Sequence, residues 1–298
     1  MIALPAALSA TDRIALLYLA GLAALAVATH PQPSSILLSI AAIAAAILGA
    51  ARAAARSPRG RLVHDFLPVL LVIAIFSVSG PVIATANPSR WDARLAALDR
   101  TLFGSLPEAW VGLLGRPVWL DDLASALYAS YYVIPVVMGV TLYRRGLRRE
   151  FEHFSFCVVA TFLLSYAGYL IAPAYGPRVP AAEAAARLGG GPLTEALRSF
   201  LATAELNQLD AFPSGHTALS LVFVWLGWRR FPRWRPVLIA FALGIVFSAV
   251  YLSLHYVIDI VAGAALATVM PCLGPFLERR LAARPAAGWE REAVSGRR

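Results

Sequence analysis

The chain has 298 residues, of which 59% are hydrophobic and only 14% charged. Soluble domains carry about 25% charged residues, so this composition excludes an ordinary water-soluble globule and a disordered chain and points to a polytopic membrane protein. The net charge is +9 and all 26 basic residues are arginines. They sit in short clusters between apolar runs, which is the positive-inside pattern and not the footprint of nucleic-acid binding.

A membrane span needs about 20 mostly apolar residues. In chain order, spans are predicted near 13–29, 34–51, 65–85, 121–143, 151–172, 214–228, 236–254 and 256–276, with the sixth short. The expected fold is therefore all-α, a polytopic membrane helical bundle of about eight transmembrane helices. The first run also has the small-residue pattern Ala26-Val27-Ala28 of a cleavable signal peptide, while a retained helix fits the topology equally well. Cys157 and Cys272 fall inside apolar runs without a partner at metal-ligand spacing and read as small packing residues.

Arginine sets the orientation. The loops 52–61, 144–149 and 229–235 and the tail 278–298 hold most of the arginines, and with alternating spans 19 of the 26 fall on one side. Both termini are then expected in the cytoplasm, and the all-arginine usage suggests a GC-rich genome, hence a bacterial inner membrane. Two long connections lie on the other side. The first, 86–120, carries Trp91, Trp110 and Trp119 and reads as interfacial helices. The second, 173–213, is rich in glycine and proline and reads as a loop with one short helix near 193–205.

Ionisable residues in or beside a span are costly and mark function. Three places on the outer side carry them. His255 and Asp259, four residues apart, are expected to share a helix face. The carboxylate would accept from one imidazole nitrogen and leave the other as a base or nucleophile. His216 lies in Phe212-Pro213-Ser214-Gly215-His216, where Pro213 and Ser214 suit a helix start whose amides can bind an anion. Topology brings His216 to the same membrane face as His255. Arg178 is a planar donor fork suited to phosphate. Two histidines, an aspartate and an arginine on one rim suggest metal-independent phosphoryl transfer, with one histidine attacking phosphorus and the other protonating the leaving oxygen. A zinc site is the rival chemistry, and two histidines with one carboxylate at these separations are a weak match to it.

These residues resemble the type 2 phosphatidic acid phosphatase superfamily. Pro213-Ser214-Gly215-His216 is similar to its second motif, and the run from Ser248 to Asp259 is similar to its third, which ends in H-x-x-x-D. The spans from the third onward match the family's six-helix core, so 1–60 would be two extra helices and a loop, 61–277 the catalytic membrane domain and 278–298 a cytoplasmic tail. The family's first motif is absent apart from Pro177-Arg178, and Ala249 follows Ser248 where the phosphatases have arginine. The run Ala249 to Asp259, the stretch Asp99-Arg100-Thr101-Leu102-Phe103-Gly104 and the pattern His255-Tyr256 resemble the inositol phosphorylceramide synthase and sphingomyelin synthase branch more closely. The resemblance implies His255 as nucleophile, Asp259 as its orienting partner, His216 as general acid and base, and Arg178 and Ser214 as phosphate ligands, and Gly215 is expected to bind phosphate by letting the backbone approach it closely. It implies no metal and no cofactor.

Charge points the same way. A phosphate monoester brings nearly two negative charges and a phosphodiester one, and a site with one arginine and no lysine suits the diester. The expected activity is a phosphotransferase moving a phosphorylated headgroup through a phosphohistidine intermediate. Its substrate would be a phospholipid or lipid phosphate and its acceptor a ceramide-like or other lipid alcohol. A lipid or polyprenyl phosphate phosphatase is the alternative, and a transporter that has lost the chemistry a third. The 86–120 segment with its tryptophans is expected to form a partial roof over a water-poor chamber, and Asp259→Asn to favour the wrong tautomer.

Overall fold

The computed structural model describes residues 8–104, 106–177, 189–204 and 207–282. Helix α1 (Ala10–Thr29) opens on a capping box in which Ser9 accepts from the Asp12 amide and Asp12 accepts from the Ser9 amide. Helix α2 (Ser34–Ala54) turns tightly into α3 (Pro58–Ala86), whose start has Ser57 as cap and proline in the first turn, where its missing N–H costs nothing. The two helices lie so close at this turn that a Cβ on Gly60 would sit 2.2 Å from the Ala53 carbonyl oxygen.

Two short helices follow, α4 (Asp92–Phe103) and α5 (Leu106–Leu114), and then two long ones, α6 (Val118–Arg144) and α7 (Arg148–Ile171). Helix α8 (Pro192–Ala204) falls where the second long connection is expected to hold one. The chain ends in α9 (Gly215–Arg230), a 3-10 turn, α10 (Arg235–Tyr251), α11 (Val257–Ala267) and α12 (Val269–Leu281). Among the described residues six helical segments are long and apolar enough to cross a membrane, and seven if α11 and α12, bent by 40°, form one span. The bend follows from Pro271, which has no N–H to give the Ala267 carbonyl.

The expected sixth span differs. Helix α9 has only 16 residues, about 24 Å at 1.5 Å per residue, because Ser214 caps it at one end and Pro232 stops it at the other. It contacts α6, α7, α10 and α11. Residues 215–220 along with Val222, Phe223 and Gly227 are buried, so it is the centre of the bundle, and its neighbours rather than lipid cover most of it.

Polar contacts sort the helix ends into two groups. At one end His64 on α3 contacts Asp12 on α1 at 3.0 Å, Asp65 pairs with Arg148 on α7, Glu150 pairs with Arg230 on α9, and His153 bonds Glu278 on α12 at 2.6 Å. This is the arginine-rich end. At the other, the Asn87 amide donates to the carbonyls of Leu170 and Ile171 at 2.9 and 3.0 Å. The Asp122 carboxylate on α6 accepts from the Gly191 and Thr194 amides and the Thr194 hydroxyl at 3.1, 2.9 and 2.8 Å. Those three bonds fasten α8 across the end of α6. Of the tail expected at 278–298, residues from 283 onward lie outside the described residues.

Candidate active site

The site sits at the end opposite the arginines, where α9 begins and α10 passes into α11. The Phe212–Pro213 peptide is cis. Ser214 caps α9, its hydroxyl oxygen accepting from the Thr217 amide at 3.3 Å and the Thr217 hydroxyl at 3.1 Å. The Ser214 amide donates to the Asp259 carbonyl at 3.0 Å, so the backbone itself joins the two motifs. Gly263 makes this approach possible, since a Cβ there would lie 2.4 Å from the Ser214 carbonyl oxygen.

His216, 8% exposed, lies one residue inside α9. Its Nδ1 is 3.0 Å from the Tyr128 hydroxyl, and its ring packs between Tyr128 and Tyr131 with centroids 4.5 and 4.3 Å away. Both tyrosines come from α6, three residues apart and therefore on one face.

His255 reaches the same place by a turn. The amides of Leu254 and His255 both donate to the Ala249 carbonyl, at 2.9 and 3.0 Å, and Ser253 adopts φ +58°. That left-handed conformation costs a non-glycine residue about 1–2 kcal/mol, and here it turns His255 inward to 2% exposure. The His255 and His216 ring centroids are 5.9 Å apart, a gap that one phosphate group can bridge.

His255 and Asp259 do not share a helix face as the spacing suggests. Helix α11 starts only at Val257, and Asp259, the third residue of its first turn, reaches back to cap it. Its Oδ2 accepts from the Tyr256 amide at 2.9 Å and stands 3.4 Å from His255 Nδ1. The nearer acceptor is the Ala211 carbonyl, 3.0 Å from the same nitrogen. Two acceptors on Nδ1 fix the proton there and leave Nε2 with its lone pair, the form in which imidazole acts as a nucleophile or base. Among the described residues His255 Nε2 is buried and has no hydrogen-bond partner.

A cavity of about 410 Å³ starts at His216, Gly215 and Asp210 and extends to Asp65 and Phe66 near the arginine-rich end. Its lining is almost wholly apolar and lies along α3, α6 and α7. On α7 a single stripe of Phe151, Phe154, Val158, Phe162, Tyr166 and Tyr169 forms one wall. That stripe spans about 27 Å, close to the roughly 30 Å of a bilayer's hydrocarbon core. Phe200 of α8 also lines the cavity. No described residue of 86–120 lines this cavity, while Trp91 and Leu95 of that segment pack with Phe212, Tyr256 and Ile258, close in the chain to His216 and His255. Trp110 instead stacks on Phe247 of α10 with centroids 5.9 Å apart.

Of the residues singled out in the sequence, His216, His255, Asp259, Ser214 and Gly215 come together, and Arg178 lies outside the described residues. The turn before it is fixed: the amides of Tyr175 and Gly176 donate to Asp92 at 2.9 Å each, and Ala211 donates to the Ala174 carbonyl at 3.1 Å. Gly176, at φ +80°, packs against Ala211 and the Leu254 carbonyl beside His255, each 3.0 Å from where its Cβ would be. Sequence reasoning missed Tyr128, the Ala211 carbonyl and the buried Asp210. It also missed the part played by Asp99, which accepts from the Ile258 amide at 2.7 Å and so seats the start of α11.

An apolar helical bundle with a buried histidine pair at one end, opening onto a lipid-length cavity, defines an integral membrane protein with a site suited to phosphate chemistry. The PAP2 superfamily model matches residues 93–273, more than half the chain, and the chain belongs to that superfamily. It is similar to a PA-phosphatase related-family protein of Dictyostelium discoideum, 23% identical over 244 residues that cover 68% of this chain and 43% of that protein. The chain thus spans less than half the length of this curated relative. No solved structure matches the chain. Membership suggests a lipid phosphatase or phosphotransferase activity with a lipid phosphate substrate in the membrane.

Proposed function

We propose that the protein is a lipid phosphotransferase that moves a phosphorylated headgroup between lipids through a phosphohistidine, in the manner of the inositol phosphorylceramide synthases. The observation that carries this reading is the state of His255: Nδ1 held by Ala211 and Asp259, Nε2 buried without a partner among the described residues, and the His216 ring 5.9 Å away. In the first half-reaction the Nε2 lone pair forms the N–P bond as the P–O bond to the donor lipid breaks, and His216 gives its proton to the departing oxygen. In the second, His216 takes the proton of the acceptor alcohol, whose oxygen bonds phosphorus as the N–P bond breaks. Arg178, one residue beyond Pro177, and the amides at the start of α9 hold the remaining oxygens. With the arginine-rich end cytoplasmic, the reaction faces the extracytoplasmic side.

Asp210 beside His216 at the head of the cavity supports a diester substrate. A carboxylate there repels a phosphate dianion more than a monoanion and can accept hydrogen bonds from a polyol headgroup. Hydrolysis of a lipid monophosphate uses the same first half-reaction with water as acceptor.

The test is incubation of purified protein with headgroup-labelled phosphatidylinositol and ceramide, scoring labelled sphingolipid against released phosphate. Transfer supports the proposal, whereas release of inorganic phosphate from monoesters alone supports the phosphatase. The His255→Ala variant should form no phosphoenzyme, and full activity in it would refute the nucleophile.

A further inference from the structure

A second cavity, of about 1000 Å³, lies at the arginine-rich end, away from the histidines. Its two sides are the start of α7 and the end of α9, and its floor is apolar, with Met138, Leu142, Leu221 and Val224. Above the floor come Trp225 and Trp228, and at the rim Arg149, Arg229 and Arg230 with Glu150. Glu150 is taken up by Arg230, and among the described residues Arg149 and Arg229 form no ion pair. His153, which also lines the cavity, is turned to Glu278.

This layering is that of half a bilayer: hydrocarbon below, indoles at the interface and uncompensated cations at headgroup level. Basic pockets between helices at this level suit anionic lipid headgroups. We infer that the cleft between α7 and α9 is a binding site for an anionic phospholipid, its phosphate against Arg149 and Arg229 and part of one acyl chain on the apolar floor. A zwitterionic lipid fits the floor equally well but brings a cation of its own to the rim, so charge makes the selection. The site lies about 20 Å along α9 from His216 and does not depend on the proposed reaction.

The full chain is reconstituted in phosphatidylcholine vesicles containing either brominated phosphatidylglycerol or brominated phosphatidylcholine at the same mole fraction, and tryptophan fluorescence is read. Brominated phosphatidylglycerol should quench more strongly. That excess should vanish in Trp225→Phe/Trp228→Phe, and Arg149→Gln/Arg229→Gln should weaken the preference about five-fold per arginine while transfer or hydrolysis at the histidines continues. Equal quenching by the two lipids in the unaltered protein overturns the inference, as does an excess that survives in both double variants. Relief of the quenching by soluble glycerol phosphate would also overturn it, as the mark of a simple anion site.

Discussion

Replacing Asp259 with asparagine separates two roles that the sequence alone would merge. In a Ser-His-Asp triad the carboxylate is the acceptor that sets the histidine tautomer, and converting it to an amide costs about 10⁴ in rate. Here the Ala211 carbonyl, at 3.0 Å, is a closer acceptor for His255 Nδ1 than Asp259 at 3.4 Å, and a side-chain substitution leaves that carbonyl in place. The tautomer should therefore survive. What is lost is the charge-assisted part of the contact, which is worth about 1.5–3 kcal/mol. At about 1.36 kcal/mol per tenfold change, phosphoenzyme formation should slow roughly 10- to 150-fold in Asp259→Asn. The amide oxygen can still cap Tyr256, so the fold is retained. Rapid-quench measurement of label bound to protein from a labelled lipid reads this step directly. A loss near 10⁴-fold in a folded variant would refute the reasoning and make Asp259 the group that sets the tautomer.

Gly263→Ala should destabilise by about 1–3 kcal/mol and suppress activity, because its Cβ would press on the Ser214 carbonyl oxygen and part the backbone bond between the two motifs; detergent unfolding and turnover check this. Asp65→Asn, at the far end, removes the buried one of the two carboxylate partners of Arg148 and leaves Glu152. Since the Arg148 side chain is 40% exposed, solvent reduces the loss to about 1–2 kcal/mol, seen as a lower melting temperature. Phe200→Ala should raise water-derived product relative to lipid-derived product, because Phe200 lines the same cavity as His216; an unchanged product ratio would show that α8 does not keep water out.

The sequence announced the bundle because hydropathy and arginine clusters report directly on burial in lipid and on sidedness. Pro213-Ser214-Gly215-His216 and the His255–Asp259 pair were legible because costly polar groups stand out against apolar runs. What could not be read was how His255 meets its partners. The i,i+4 spacing implies one helix face, but the helix starts two residues later than that requires, and the decisive acceptor is a main-chain carbonyl 44 residues away in sequence. A backbone oxygen has no residue-type signature. The same limit hid the seat of the short helix α8, which the bonds from the Gly191 and Thr194 amides to Asp122 set. Helix α9 misled through length, since a span wrapped by its neighbours can be shorter than one that faces lipid.

Charge and water together bear on the choice between transfer and hydrolysis. Asp92 and Asp99 point their carboxylates at main-chain amides of the turns beside the site, and Asp259 does the same at Tyr256. These acids build the backbone around His255 and add no positive charge to receive a phosphate dianion. Under the proposed mechanism the donors to phosphorus oxygens are the amides at the start of α9 and Arg178. Such a set balances one negative charge better than two. A phosphohistidine on a nitrogen this deeply buried would, under that mechanism, also be shielded from bulk water, and its lifetime would depend on which alcohol reaches it first. Under the same mechanism the apolar cavity along α3, α6 and α7 would hold lipid tails, and a lipid alcohol held there would have a higher effective concentration at phosphorus than water. Under the proposed mechanism, acceptor choice is then governed less by the histidines than by the apolar stripe that leads to them.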